Sequence, residues 1–537
     1  MKRDLSRLSG RSFDLLIVGA GIVGAGIAWD ASKRGLSCAL VEQGDFASGT
    51  SSKTTKLIHG GLRYLEQLDF RLVREALAER EILLRLAPHL VRPLSFVIPV
   101  KGMIPRPWPW IRLGALLYDR LAGRTSLEQH RVLNGGEVSA KEAVLESGHA
   151  PHAVVYSDAQ MDDARLVLAT IQASVEVGTI AANYLRVVNW VLERSRISGA
   201  ELEDRLTGQR FTVQANCVIN ATGPWVDDLR RLADPNLPAI VRKSKGIHLV
   251  YPDLGLNSGI LLSSRRDGRI FFLIPWQDLT LIGTTDTDYS GDPGRAQVEE
   301  EDVRYLLEET QRLLPGLQLK REEVIGTFAG VRPLAAQEKK DPWAVSRGHR
   351  IHEDASGLLS VVGGKFTTFR KMAQEVVDRV VARFPNRTFD ICRTAEGSLG
   401  TQSADWRSGQ MKEMLTFLLQ RGNLYPGQVK RLVHRYGPDA TLILQWIQDD
   451  QRQAEPLCPH HLFVRAEVRY AVEREMAMSL SDLFWRRFGT GWSPCHGLDG
   501  MEVCAKIMQE LLGWSSAQLQ EEIELFQREL AAARLPR

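Results

Sequence analysis

The sequence predicts an α/β (α+β) chain: a nucleotide-binding domain built on a parallel sheet, an interleaved antiparallel-sheet domain, and a separate helical domain at the C-terminal end. Three observations carry this expectation. An apolar strand near the N-terminus runs directly into a glycine-rich turn. Strand and helix patterns then alternate without a repeat through the middle of the chain. Helical patterning takes over from Asp405 onward.

The first element is the clearest. Phe13 to Val18 reads as a short strand, followed by Gly19-Ala20-Gly21-Ile22-Val23-Gly24 and a helical stretch to Arg34, which Gly35 stops. A second strand, Ser37 to Val41, ends at Glu42. Gly19 permits the tight turn, Gly21 lets a pyrophosphate approach the backbone, and Gly24 lets the helix pack closely on the strand. The helix N-terminus stabilises phosphate charge. Glu42 is spaced to accept hydrogen bonds from ribose hydroxyls. Together these make a Rossmann-like unit. Its position at the start of a chain of 537 residues favours FAD over NAD.

In the middle of the chain, Val155 to Gly178 reads as a polar turn and then a helix. Phe211 to Ala221 reads as a strand ending in Ala221-Thr222-Gly223-Pro224, a junction that returns toward the cofactor in many flavoproteins. Arg269 to Pro275 and Leu279 to Gly283 read as paired strands around a turn at Trp276-Gln277-Asp278. Leu358 to Val362 is a further buried strand, leading through Gly363-Gly364-Lys365 into a helix over Thr367 to Phe384. The composition turns polar and loop-like over residues 385–405. The expected division is therefore residues 1–395, nucleotide-binding with the interleaved domain, and residues 400–537, helical.

A second cluster of chemistry follows Glu42. The run Ser51-Ser52-Lys53-Thr54-Thr55 offers hydroxyls and backbone N–H groups to a pyrophosphate. Gly60-Gly61 would let the backbone lie against a flat ring. Arg63 and Tyr64 come next, and an arginine forks well onto phosphate oxygens.

The stretch from His59 to Glu66, with Phe70 to Val73 and Glu75 to Glu81, resembles the FAD-dependent, aerobic glycerol-3-phosphate dehydrogenases. So do Val241 to Gly246 with His248, Ile282 to Asp286, Gly330 to Leu334, Gly363 to Arg370, Glu467 to Glu475 and Asp482 to Arg487. The resemblance implies FAD held by Gly19, Gly21, Gly24, Glu42, Ser51, Ser52, Gly60, Gly61, Gly223, Gly363, Gly364 and Thr367. It implies sn-glycerol 3-phosphate surrounded by Arg63, Tyr64, His248, Arg332 and Lys365. Hydride transfer from C2 to flavin N5 needs an acceptor for the hydroxyl proton. His59 is the favoured base and His248 the other candidate, while Arg332 could stabilise a developing alkoxide. Where the family carries Arg-Arg-Thr-Arg, this chain has Trp485-Arg486-Arg487-Phe488. Two related flavoprotein activities stay open: a glycerol-3-phosphate oxidase using oxygen, and an amine or 2-hydroxy-acid oxidase on the same fold.

A net charge of +3 argues against a nucleic-acid partner, which calls for a concentrated basic face. The six cysteines form no C-x-x-C pair and no dense framework, which suits a reducing cytoplasm. Cys458-Pro459-His460-His461 has metal-ligating residue types but lacks a matching second pair, so no metal is expected. No run reaches the roughly 18 apolar residues of a membrane span. Between Lys101 and Arg124, Trp108, Trp110, Leu113, Leu116, Leu117 and Tyr118 alternate with arginines. That mixture suits peripheral docking on the inner leaflet, and the resemblance adds a membrane quinone as electron acceptor. A homodimer is compatible with the sequence but nothing in it argues for one.

Overall fold

The computed structural model describes residues 1–66, 68–100, 108–123, 127–145, 151–336, 348–399, 408–421 and 424–535. Strand β1 (Ser12–Val18), helix α1 (Ile22–Lys33) and strand β2 (Cys38–Val41) form the opening unit. β1 lies between β2 and the strand Arg210–Asn220, parallel to both. Ile180–Ala182 and Leu359–Gly363 extend this parallel core, and antiparallel strands complete an eight-stranded sheet. β1 and β2 are almost wholly buried because helices cover the sheet, which is why they read as unbroken apolar runs. Helix α1 packs closely on the helix Phe369–Val381: a Cβ on Gly26 would stand 2.8 Å from the Phe369 ring.

The second sheet has ten strands. It is mainly antiparallel, with one parallel pairing between Gly259–Ser263 and Val91–Val100. Toward one edge lies its longest strand, Val241–Pro252, paired with both Gly326–Ala335 and Leu279–Gly283. The expected hairpin is present as Ile270–Trp276 and Leu279–Gly283, turning at Gln277, which has φ +55°.

One segment departs from the sequence reading. The supposed polar turn at the start of Val155 to Gly178 is a ten-residue strand, His152–Met161, and the helix begins only at Asp163. The strand carries the polar residues Ser157, Asp158 and Gln160. In the fold Asp158 is buried, where it accepts hydrogen bonds from the Arg80 guanidinium (2.7 Å) and the Tyr118 hydroxyl (2.8 Å). Satisfied in this way, a polar side chain can occupy a central strand.

Beyond Ser408 the described chain is helical except for a hairpin, Pro456–Cys458 with His461–Val464. The arginine pair at Arg486 and Arg487 joins this part to the nucleotide-binding sheet. Arg487 is fully buried and forks onto the Asp45 carboxylate at 2.5 and 2.8 Å, and Arg486 reaches the same carboxylate. Burial pushes the Asp45 carboxyl up, but the two guanidinium groups outweigh it and hold it below its ordinary value. Removing one partner of a buried charge cluster leaves the others uncompensated. Asp45→Ala is therefore expected to lower stability by about 3–5 kcal/mol, visible as an earlier thermal unfolding midpoint. A midpoint unchanged from wild type would mean that the cluster does not join the two parts.

Candidate active site

The glycine turn has little room for side chains. Gly19 has φ +101°, and a Cβ there would stand 2.7 Å from the Ala221 carbonyl oxygen. A Cβ on Gly24 would lie 1.8 Å from the Gly19 carbonyl oxygen. Helix α1 therefore starts hard against the sheet, with Gly21 as its N-cap. Its Ile22 N–H donates to Ser51 Oγ at 3.0 Å. Glu42 accepts from the Ala20 N–H at 2.8 Å and from the Gly44 N–H at 3.0 Å, so it braces the turn. Burial pushes its carboxyl above the ordinary value, against those two donors. A carboxylate has about four acceptor positions, so capacity remains for a ribose.

This turn lines a cleft of about 740 Å³. Gly19, Gly21, Glu42 and Ser51 line it, joined by Gly223, Gly363, Gly364 and Thr367. His59, Gly61, Tyr64, His248, Arg332 and Lys365 line the same space. The remaining expected residues support its wall. Gly24 packs the helix on the turn. The Ser52 carbonyl accepts from Lys56 Nζ at 2.8 Å. Gly60 donates its N–H to the Tyr118 hydroxyl at 2.9 Å, and a Cβ there would strike that oxygen at 2.5 Å. Of the two glycines, Gly61, whose φ is +82°, lines the cleft. Arg63 lies in the short turn Leu62–Leu65, and its side chain is outside the described residues.

The loop carrying His59 is pinned from two sides. Thr367 Oγ1 accepts from the His59 N–H at 3.2 Å and contacts its carbonyl at 3.3 Å. The buried Asp158–Arg80–Tyr118 cluster holds Gly60 from behind. Lys365 Nζ sits 3.7 Å from the Tyr64 ring centre and 3.4 Å from the Gly60 carbonyl oxygen. Arg332 projects from Gly326–Ala335 and donates to Thr284 Oγ1 at 2.9 Å and the Thr285 carbonyl at 3.2 Å. It also pairs with Asp286 at 3.3 Å.

His248 is buried. Its Nε2 meets Thr55 Oγ1 at 3.0 Å and its ring stacks on Phe328 at 4.9 Å. Burial, with Arg332 and Lys56 nearby, pulls its imidazole well below the ordinary value. Sequence reasoning missed Thr284 and Asp286 as parts of this site, and read Thr55 as a pyrophosphate contact and not as the partner of His248. All three stand in stretches already singled out, but only the crossing of strands brings them to one wall.

The cleft falls within the 300–1,000 Å³ usual for small-molecule pockets. Its glycine-lined turn and helix N-terminus suit a dinucleotide pyrophosphate. Arg332 and Lys365, which line the same cleft as His59 and His248, suit an anion.

Comparison with known proteins agrees with this geometry. The family model for FAD dependent oxidoreductases matches residues 14–370. The model for the C-terminal domain of alpha-glycerophosphate oxidase matches residues 361–519. Glycerol-3-phosphate dehydrogenase 2 of Mycobacterium tuberculosis is 35% identical over 521 residues, covering 96% of this chain and 88% of that protein. The mitochondrial glycerol-3-phosphate dehydrogenase of Mus musculus is 35% identical, covering 95% of this chain and 72% of that one. Among solved structures, the glycerol-3-phosphate dehydrogenase from Bacillus halodurans complexed with FAD superposes with a TM-score of 0.83 at 30% identity, over 99% of this chain and 97% of that one.

Proposed function

Since the chain belongs to the FAD-dependent glycerol-3-phosphate dehydrogenases, we propose that it oxidises sn-glycerol 3-phosphate to dihydroxyacetone phosphate and passes the electrons to a membrane quinone. The observation that supports this reading is a single cleft lined both by the dinucleotide turn and by Arg332, Lys365, His59 and His248.

In this reading Gly19, Gly21, Ser51 and the start of α1 hold the pyrophosphate of FAD, and Glu42 its ribose. Gly61, Gly223, Gly363, Gly364 and Thr367 take the rest of the cofactor. Bound FAD supplies the hydride acceptor for C2 of the alcohol. Arg332 and Lys365 meet the substrate phosphate, with Arg63 and Tyr64 completing that end. His59 accepts the hydroxyl proton. His248 is less suited to that role, because protonating it would place a third cation beside Arg332 and Lys56 in a buried site. It serves instead as a neutral hydrogen-bonding wall. Arg332 also opposes charge developing on the C2 oxygen.

The test is anaerobic. Adding sn-glycerol 3-phosphate to the purified flavoprotein is expected to bleach the flavin band near ~450 nm. A band that persists with this substrate but bleaches with an amine or hydroxy acid would overturn the assignment of Arg332 and Lys365. Oxygen is the second candidate acceptor, favoured by the alpha-glycerophosphate oxidase match over the C-terminal part. Reoxidation by a quinone analogue and by oxygen, compared in rate, separates the two.

No helix among the described residues is long and apolar enough to cross a membrane. The proposed attachment is peripheral, on the cytoplasmic side. It is supported by the helix Trp108–Ala122, which exposes Trp110 (65%), Leu113 (51%) and Leu116 (45%) on one side. Tyr118 is buried instead, donating to Asp158, and Trp108 stacks on His152. Lys101 to Pro107 and Arg124, parts of the same expected segment, lie outside the described residues. The triple change Trp110→Ala, Leu113→Ser and Leu116→Ser is expected to abolish sedimentation with anionic vesicles while preserving flavin content. Undiminished sedimentation would remove this helix as the docking element.

A further inference from the structure

We propose that Cys458, His461 and Cys495 bind a zinc-class divalent cation that fastens the hairpin of the C-terminal part to the loop before the helix Leu498–Leu512. Cys458 closes one strand of the hairpin, His461 opens the other, and the two residues are cross-strand partners. Cys495 comes from a tight loop in which the Ser493 N–H donates to the Thr490 carbonyl and the Leu498 N–H to the Cys495 carbonyl. That loop brings Cys495 Sγ to 3.3 Å from His461 Nε2.

The three ligand atoms all lie within 4.8 Å of one another. A tetrahedral zinc with its usual bond lengths separates two thiolate sulfurs by about 3.8 Å. Small inward shifts would therefore close the site. Two sulfurs and an imidazole select a borderline-soft cation such as zinc and discriminate against calcium and magnesium, which take oxygen. The fourth position is left to water. Ser493 Oγ, 3.0 Å from His461 Nε2 and 3.4 Å from Cys495 Sγ, is the adjoining polar group.

The role is structural. A Cβ on Gly500 would stand 3.0 Å from the Leu457 carbonyl oxygen, so hairpin and helix already pack tightly here. The anchored loop also carries Trp492, whose ring lies 5.2 Å from Phe328, the residue stacked on His248. A cation at this position would steady the loop that backs this wall without touching substrate. The sequence reading found no second ligand pair because it sought one at short spacing. The third ligand lies far along the chain and arrives only through folding.

The experiment uses the full-length flavoprotein, purified without an affinity tag or chelator. Elemental analysis is expected to find about one zinc per chain. Cobalt(II) loaded into chelator-treated protein is expected to give the sulfur-to-cobalt charge-transfer band and strong visible bands of a tetrahedral thiolate site. Cys495→Ser should lose the zinc and weaken the charge-transfer band while keeping its flavin. Should Cys458→Ser fail to fold, His461→Gln and the wild-type cobalt spectrum decide instead. Wild-type protein that takes up neither zinc nor cobalt, or that carries a Cys458–Cys495 disulfide when purified without oxygen, overturns the proposal.

Discussion

Gly24→Val is expected to yield a folded protein that purifies with little or no flavin. A side chain at this position would place its first carbon 1.8 Å from the Gly19 carbonyl oxygen, and that oxygen belongs to the backbone of the turn that leaves β1. The clash cannot be relieved by rotating a side chain. Helix α1 must lift away from β1, carrying its N-terminal N–H groups from the place where the pyrophosphate should lie. Overpacking of this kind costs about 1–3 kcal/mol or more, which corresponds to about a 10- to 100-fold loss of FAD affinity if it falls on the bound state. The flavin-to-protein absorbance ratio measures it directly, and FAD titration into the stripped protein measures the affinity. Full flavin occupancy in this variant would show that the turn is not the cofactor cradle.

Arg332→Ala is expected to keep its flavin and lose about 10²–10³-fold in kcat/KM for sn-glycerol 3-phosphate, the usual cost of removing one donor aimed at developing charge. Arg332 is held by Thr284, the Thr285 carbonyl and Asp286, so its guanidinium is already oriented in the free enzyme. That orientation means the interaction with substrate does not have to be bought with side-chain entropy. Guanidinium ion in solution should restore part of the rate, because the vacated space is shaped for it. Lys365→Ala, in the lining of the same cleft, should raise KM more than it lowers kcat if Lys365 mainly binds phosphate. Retention of kcat/KM within about threefold in Arg332→Ala would remove Arg332 from the proposed reaction centre.

The opening unit was legible because everything it needs is local. Strand, glycine turn, helix and acid lie within one stretch from Phe13 to Glu42, and the reasons for each glycine are steric and short-range. The segments carrying His59, His248, Arg332 and Lys365 were also legible, although only through resemblance. Nothing in their individual patterns says that they meet. The strand His152–Met161 was misread for a related reason. Its polar residues signal a loop unless Arg80 and Tyr118, from other elements, arrive to satisfy Asp158.

The sequence by itself therefore determined the nucleotide-binding turn, the alternation of sheets and helices, and the set of groups available for chemistry. Tertiary structure alone decided the rest. It disfavoured the protonated form of His248 by burying it beside Arg332 and Lys56. It turned Arg486 and Arg487 into a clamp on Asp45. It selected the exposed face of Trp108–Ala122, and it brought Cys495 to Cys458 and His461. The physical reason is common to all four. Burial and electrostatic environment depend on which distant segments pack together, and local spacing carries no record of that packing.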